Sequence, residues 1–131
     1  MQNESNDIRF GLYPWFHEDG ADLIHPDDIL RFSMLVPYGK IFEVDFCSPD
    51  MIQLKYGEQK FRVRPDLLKL IPSPKFRLGD VVSIKNKNVK AEVISSMWHS
   101  NEKRAFFLLS ANGKKKSKRY WEEDLELVQP S

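Results

Sequence analysis

Cysteine is almost missing from this chain: Cys47 is the only one. A lone thiol can form neither an internal disulfide nor a cysteine zinc site, so nothing in the sequence asks for an oxidising compartment. Cys47 lies in an alternating apolar run, where the expectation is a small buried hydrophobe rather than a nucleophile. An excess of one charge is missing too. Lys plus Arg number 20 against 19 Asp plus Glu, a formal net charge of +1, which leaves no global field to draw the protein onto nucleic acid or an anionic membrane. No apolar run approaches the length of a membrane span, and residues 1–7 lack the basic and apolar regions of a secretory signal. A cytoplasmic location with no membrane partner is the expectation. There is no Gly-rich phosphate loop, no Gly-x-Ser-x-Gly elbow and no His-Glu-x-x-His. The chain therefore reads as a binding module and not an enzyme, with no cofactor expected.

What is present is enough to fold. With 131 residues, 41% of them apolar, the chain can build one ordinary domain or two very small ones. The two prolines of Pro72-Ser73-Pro74 mark a boundary. Before it, residues 1–73 carry 8 basic and 12 acidic side chains, a net of −4; after it, residues 74–131 carry 12 and 7, a net of +5. Such opposite charges favour a partner that is itself polarised.

Along the first half, Ile8 to Phe16 is aromatic-rich and interrupted by Gly11 and Pro14, which suits an extended segment that packs its rings onto something larger. A helix is expected over about 26–36: Pro26 suits a first turn, Asp27 and Asp28 complement the dipole, His25 contributes to the cap, and Pro37 and Gly39 end it. Its apolar stripe is Ile29, Leu30, Phe32, Met34, Leu35 and Val36. From residue 39 to 71 the period falls to two and a β-meander is expected, with turns at Ser48-Pro49-Asp50 and Gly57-Glu58. In the second half, strands are expected over Val81 to Lys85, Lys90 to Trp98, Ala105 to Ala111 and Lys115 to Trp121, then a short one at Leu125 to Val128. Asn112-Gly113 is the strongest hairpin signal in the chain.

The halves repeat. Aligning Leu68-x-Leu70-Ile71 with Leu125-x-Leu127-Val128 sets Arg62 against Arg119, Asp66 against Glu123, and Gly57 against Gly113 with one residue inserted. The first copy lacks an obvious opening strand, which Ile8 to Leu12 could supply. The expected fold class is thus mainly β (α+β), with tandem small barrel units and one N-terminal helix, because a chain this short removes its sheet edges by curling sharply. The opening Phe76 to Val82 and the ending Glu122 to Val128 resemble SH3-like and Tudor-like barrels over about 55 residues. That resemblance implies an SH3-like barrel for 74–131. The whole chain also resembles a small uncharacterised bacterial family through Tyr13-Pro14-Trp15-Phe16, Leu23 to Asp28, Met97-Trp98-His99 and Gly113 to Ser117. The second likeness implies fold and bacterial origin and assigns no site.

Three constellations could carry function. Lys114, Lys115, Lys116, Lys118 and Arg119 crowd one hairpin beside Tyr120 and Trp121, with Trp98 and His99 at the end of another strand. Cations beside rings suit an adaptor or immunity-type contact with a protein, or single-stranded nucleic acid over 113–121, where phosphates meet the cations and bases stack. A bland reading is that the lysines solvate a sheet edge while the rings pack inward. Trp98, Phe106, Tyr120 and Trp121 could form a Tudor-like cage for a methylated cation. His17, Glu18, Asp19, Asp22, His25, Asp27 and Asp28 could in principle ligate a divalent metal and support a hydrolase, although their spacing fits no tight pattern, and no metal is expected there. The leading expectation is protein recognition by the C-terminal unit; the sequence is silent on oligomeric state.

Overall fold

The computed structural model describes residues 8–128, which are mainly β with one helix. The chain forms two compact units, 1–73 and 74–131, each built on its own antiparallel sheet. In the first unit the strands are β1 (Arg9–Leu12), β2 (Phe42–Ser48), β3 (Met51–Tyr56), β4 (Gln59–Val63) and β5 (Lys69–Ile71), in the spatial order β4-β3-β2-β1-β5. Period-two patterning places them: in β3, Ile52, Leu54 and Tyr56 are buried while Met51, Gln53 and Lys55 face the other side. β1 pairs with both β2 and β5, so the aromatic-rich leader does supply the opening strand of the first repeat.

The helix α1 (Ile29–Leu35) is shorter than the expected 26–36, and 26–28 is a turn. Asp28 occupies the N-cap position without a side-chain cap bond, because its carboxylate is engaged by Arg31 and Arg62. His25 does not cap the helix either; its Nδ1 accepts the Asp27 N–H at 3.0 Å in the preceding turn. The chain leaves the helix through Val36 in the left-handed region (φ 57°), ahead of Pro37. Of the apolar stripe only Phe32 is fully buried, whereas Leu30 and Met34 are 70% and 75% exposed. Seven residues make two turns, so one position alone reaches the ring cluster of Tyr13, Trp15, Phe42 and Phe61, whose centroids lie 5.0–5.9 Å from that of Phe32.

The second unit contains β6 (Val81–Ile84), β7 (Val89–His99), β8 (Arg104–Ala111), β9 (Lys114–Lys115), β10 (Tyr120–Trp121) and β11 (Leu125–Leu127). Their order is β10-β8-β7-β6-β11, with β9 also on β8. The strand order of the first unit is thereby repeated: a meander, a single 3-10 turn, and a short strand returning to pair with the first. The two 3-10 turns, Pro65–Leu67 and Glu122–Asp124, coincide in the sequence alignment of the repeats. The core of this unit is Phe76, Val82, Ile84, Val93, Phe107, Leu109, Tyr120 and Leu125.

Three expectations are corrected. Neither sheet closes into a barrel: among the described residues no pairing joins β4 to β5 or β10 to β11. In the first unit the outer edge of β4 is taken by the segment 23–25, through an Ile24–Val63 bridge and backbone bonds from His25 to Arg62 and from Arg64 to Leu23. That local chain satisfies the edge that closure would have used. Second, the strand expected over Lys115 to Trp121 is split into β9 and β10, and residues 116–119 leave the sheet after the Lys116 N–H bonds to Leu109 at 2.8 Å. Third, Cys47 is exposed. It belongs to the end of β2 beyond Val44, where residues 45–48 are all exposed and the register shifts between Phe46 and Ser48, so alternation there no longer reports a core.

The β8–β9 connection has Asn112 at φ 55° and Gly113 at φ 77°, the two positive values a type I′ turn requires. A side chain built at Gly113 would touch nothing within 4 Å. Gly113→Val is therefore expected to lower stability through backbone strain alone, by about 1–2 kcal/mol. A thermal melt matching that of the parent would contradict this turn. Among the described residues no helix is long and apolar enough to cross a membrane.

Candidate functional site

The two faces of the second sheet follow from its register. Residues opposite each other across antiparallel strands share a face, as do residues two apart along one strand. Val93 pairs with Leu109, Ser96 with Phe107 and Trp98 with Ala105, and this face is the core. Met97 pairs with Phe106, His99 with Arg104 and Phe106 with Trp121, and these look outward together with Ser95 and Leu108. The change of parity is made by a bulge between Val93 and Ser95, which inserts Ile94. Simple alternation along β7 puts Ser95 with Ala91 and Val93. After the bulge it is Ser96 that is buried, at 4% exposure.

The outward face carries its own ring cluster. Phe106 lies 6.2 Å from Trp121 and 6.2 Å from His99, and His99 lies 5.5 Å from Trp121, centroid to centroid. Phe106 is buried beneath these neighbours, while His99 and Trp121 are half-buried. Two guanidinium groups lie on the cluster, Arg104 at 3.5 Å over the Trp121 ring and Arg119 at 4.9 Å over Phe106. Arg104 is held by Glu123 at 2.9 Å, with Glu102 at 3.8 Å from its Nε. That Nε is buried and makes no hydrogen bond among the described residues. His99 Nδ1 accepts the Glu102 N–H at 3.1 Å, which fixes the ring against its own turn rather than toward Ser100.

Beside this cluster stands the basic hairpin. Lys114, Lys115, Lys118 and Arg119 are exposed and Lys116 is half-buried. Among the described residues none of the five has a carboxylate partner. Lys118 Nζ lies 5.3 Å from the Tyr120 ring centroid. Next to the hairpin, on the outward face, runs an open groove of about 330 Å³ lined by Ile94, Ser95, Leu108, Ser110, Lys115 and Lys116.

The nine residues expected at the site thus divide. His99, Arg119 and Trp121 meet at one surface, with Lys114, Lys115, Lys116 and Lys118 on the adjoining hairpin. Tyr120 is corrected to a core residue, only 2% exposed, and Trp98 points to the core face, half-buried beside Ala105. A Tudor-like cage of Trp98, Phe106, Tyr120 and Trp121 is contradicted, because the pleat sends the first and third rings to one side of the sheet and the second and fourth to the other. Met97, Arg104 and Leu108 belong to the same outward face and were not anticipated there. The signal for them was the β7–β8 register, which the bulge conceals.

The cluster between His17 and Asp28 is dispersed into structural contacts. His17 Nε2 is 2.9 Å from Ser33 Oγ, and its ring packs on Trp15. Asp19 accepts the Phe16 N–H at 2.8 Å, and Asp27 lies 3.7 Å from Arg62. Asp28, 3% exposed, accepts the Arg62 N–H at 2.8 Å, Arg62 Nε at 3.0 Å and Arg31 Nη2 at 2.7 Å. Burial by itself would raise its pKa, but the side-chain and backbone bonds from Arg62, its charge and the Arg31 bond outweigh burial and hold the carboxyl below its ordinary range. Burial, then the charges of Asp66 and Asp19, push the Tyr13 hydroxyl up, and it stays a donor to the Arg64 carbonyl. Among the described residues no group of three or more His, Cys, Asp or Glu side chains could hold a metal ion.

Comparison with protein families finds a match to a family of unknown function, DUF6960, over residues 1–126. Comparison with curated proteins and with solved structures finds none.

Proposed function

This chain belongs to the DUF6960 family, a family of unknown function, and from that premise we propose that it is a non-enzymatic module that recognises another protein through the outward face of its second sheet. We read the shared strand order as two tandem SH3-like units left open at one seam. The observation that carries the proposal is the nearness of half-buried outward rings to a hairpin of five cations that have no carboxylate partner among the described residues, of which Arg119, Lys115 and Lys116 lie with the outward face. Five cations beside a ring cluster suit a complementary partner, since uncompensated charge steers association and selects against the wrong one. An adaptor or immunity-type role in the cytoplasm suits this surface.

The test is affinity capture from a native cell lysate. Changing Lys114, Lys115, Lys116, Lys118 and Arg119 together to Ser is expected to leave the circular dichroism spectrum and melting behaviour intact and to abolish capture of the partner. Equal capture by parent and variant would remove the hairpin from the interface. Single-stranded nucleic acid is the second reading, favoured by the same unneutralised cations. One face of Trp121 is already covered by Arg104 at 3.5 Å, which leaves less ring for a base to stack on. That reading requires steep salt dependence, and no detectable binding of an oligothymidylate at about 50 mM salt dismisses it.

A further inference from the structure

Resting on the reading of this face as a protein-binding surface, we infer that its ligand is an acidic, extended peptide segment that seats one aliphatic side chain in the groove beside the hairpin. The groove is lined by two aliphatic side chains, Ile94 and Leu108, by Ser95 and Ser110, and by Lys115 and Lys116. Ile94 is there because of the bulge. A regular strand would alternate past this point, whereas the inserted residue turns an aliphatic side chain out beside Leu108 on the next strand. A volume of about 330 Å³ admits an aliphatic side chain with adjoining backbone.

Charge fixes the rest of the ligand. Of the two lysines lining the groove, Lys116 is half-buried and Lys115 exposed, and among the described residues neither meets a carboxylate. The acid nearest in the sheet register, Glu92, pairs with Ser110, which in turn pairs with Lys115. It is two strands away, roughly 9–10 Å between backbones, so it does not pair with either ammonium. A carboxylate on each side of the aliphatic anchor would reach the lysines while the anchor covers Leu108. A partly desolvated lysine gains more from such a partner than one in open solvent, because the local dielectric is lower.

The probe is a short fluorescent peptide of Glu and Asp with one central leucine, titrated against the full chain and followed by anisotropy. Saturable binding is expected, weakened by about tenfold or more when the leucine is replaced by alanine, and by a similar factor in the Lys115→Ser/Lys116→Ser chain. Both lysines contribute to the sheet through backbone groups, so this chain keeps its melting curve; Lys115→Gln/Lys116→Gln replaces it if it does not. Equal affinity for the alanine peptide, or for a lysine version of the peptide, overturns the inference. No peptide binding, with lysate capture still dependent on the five hairpin cations, overturns the inference alone. Binding of oligothymidylate in place of the peptide overturns both it and the protein-binding reading.

Discussion

Asp28→Ala is expected to destabilise the first unit by about 2–3 kcal/mol. Removing one partner of a buried ion pair commonly costs about 3–5 kcal/mol, because the remaining charge is left without compensation. Here the cost falls at or below the bottom of that range: Asp28 is buried, but the Arg31 and Arg62 side chains are 46% and 43% exposed, so water recovers part of their solvation. The change also strips an acceptor from the Arg62 backbone N–H in β4, which ties the turn before α1 to the edge of the sheet. The effect is pH-dependent. The folded Asp28 carboxyl titrates below its ordinary value of 3.8, so its stabilisation is complete above about pH 5 and is lost as pH falls through the folded pKa. Urea melts of the parent and of Asp28→Ala should thus differ most near neutrality and converge toward pH 2. A constant difference across that range would show that the carboxylate's charge is not what stabilises the unit.

Phe32→Ala is expected to cost about 3–5 kcal/mol of stability. Its ring is fully buried and meets four other rings, whereas Leu30 and Met34 on the same helix point to solvent. Leu30→Ala and Met34→Ala serve as the contrast and should each change stability by less than about 0.5 kcal/mol. If denaturant melts show all three to be equally damaging, the assignment of the buried face of α1 is wrong.

That contrast shows where reading the residues in order stops being enough. The stripe from Ile29 to Val36 has helical spacing, and the helix is there, yet only one of six apolar positions is sealed because α1 spans two turns over the sheet. The repeat is a different case. Leu68 and Leu125 align, and their 3-10 turns coincide, because a turn of that kind is set locally by Pro65 in one copy and the acidic run from Glu122 in the other. The exposure of the candidate site's charges was legible in the sequence, and the faces of its rings were not. Lys114 to Arg119 are exposed or half-buried where a hairpin of lysines should be, but Trp98 and Tyr120 were grouped with Trp121 when the pleat separates them.

By itself the sequence determined the β-rich class, the sequence positions of most strands, the repeat, the Asn112-Gly113 hairpin and its cationic character, since each depends on neighbours within a few residues. Only the tertiary structure decided that the sheets remain open, that Cys47 is exposed, that Asp28 binds two arginines and which rings share a surface. These are matters of register and edge pairing, where one inserted residue such as Ile94 reverses every side chain that follows it, and no local pattern records that reversal.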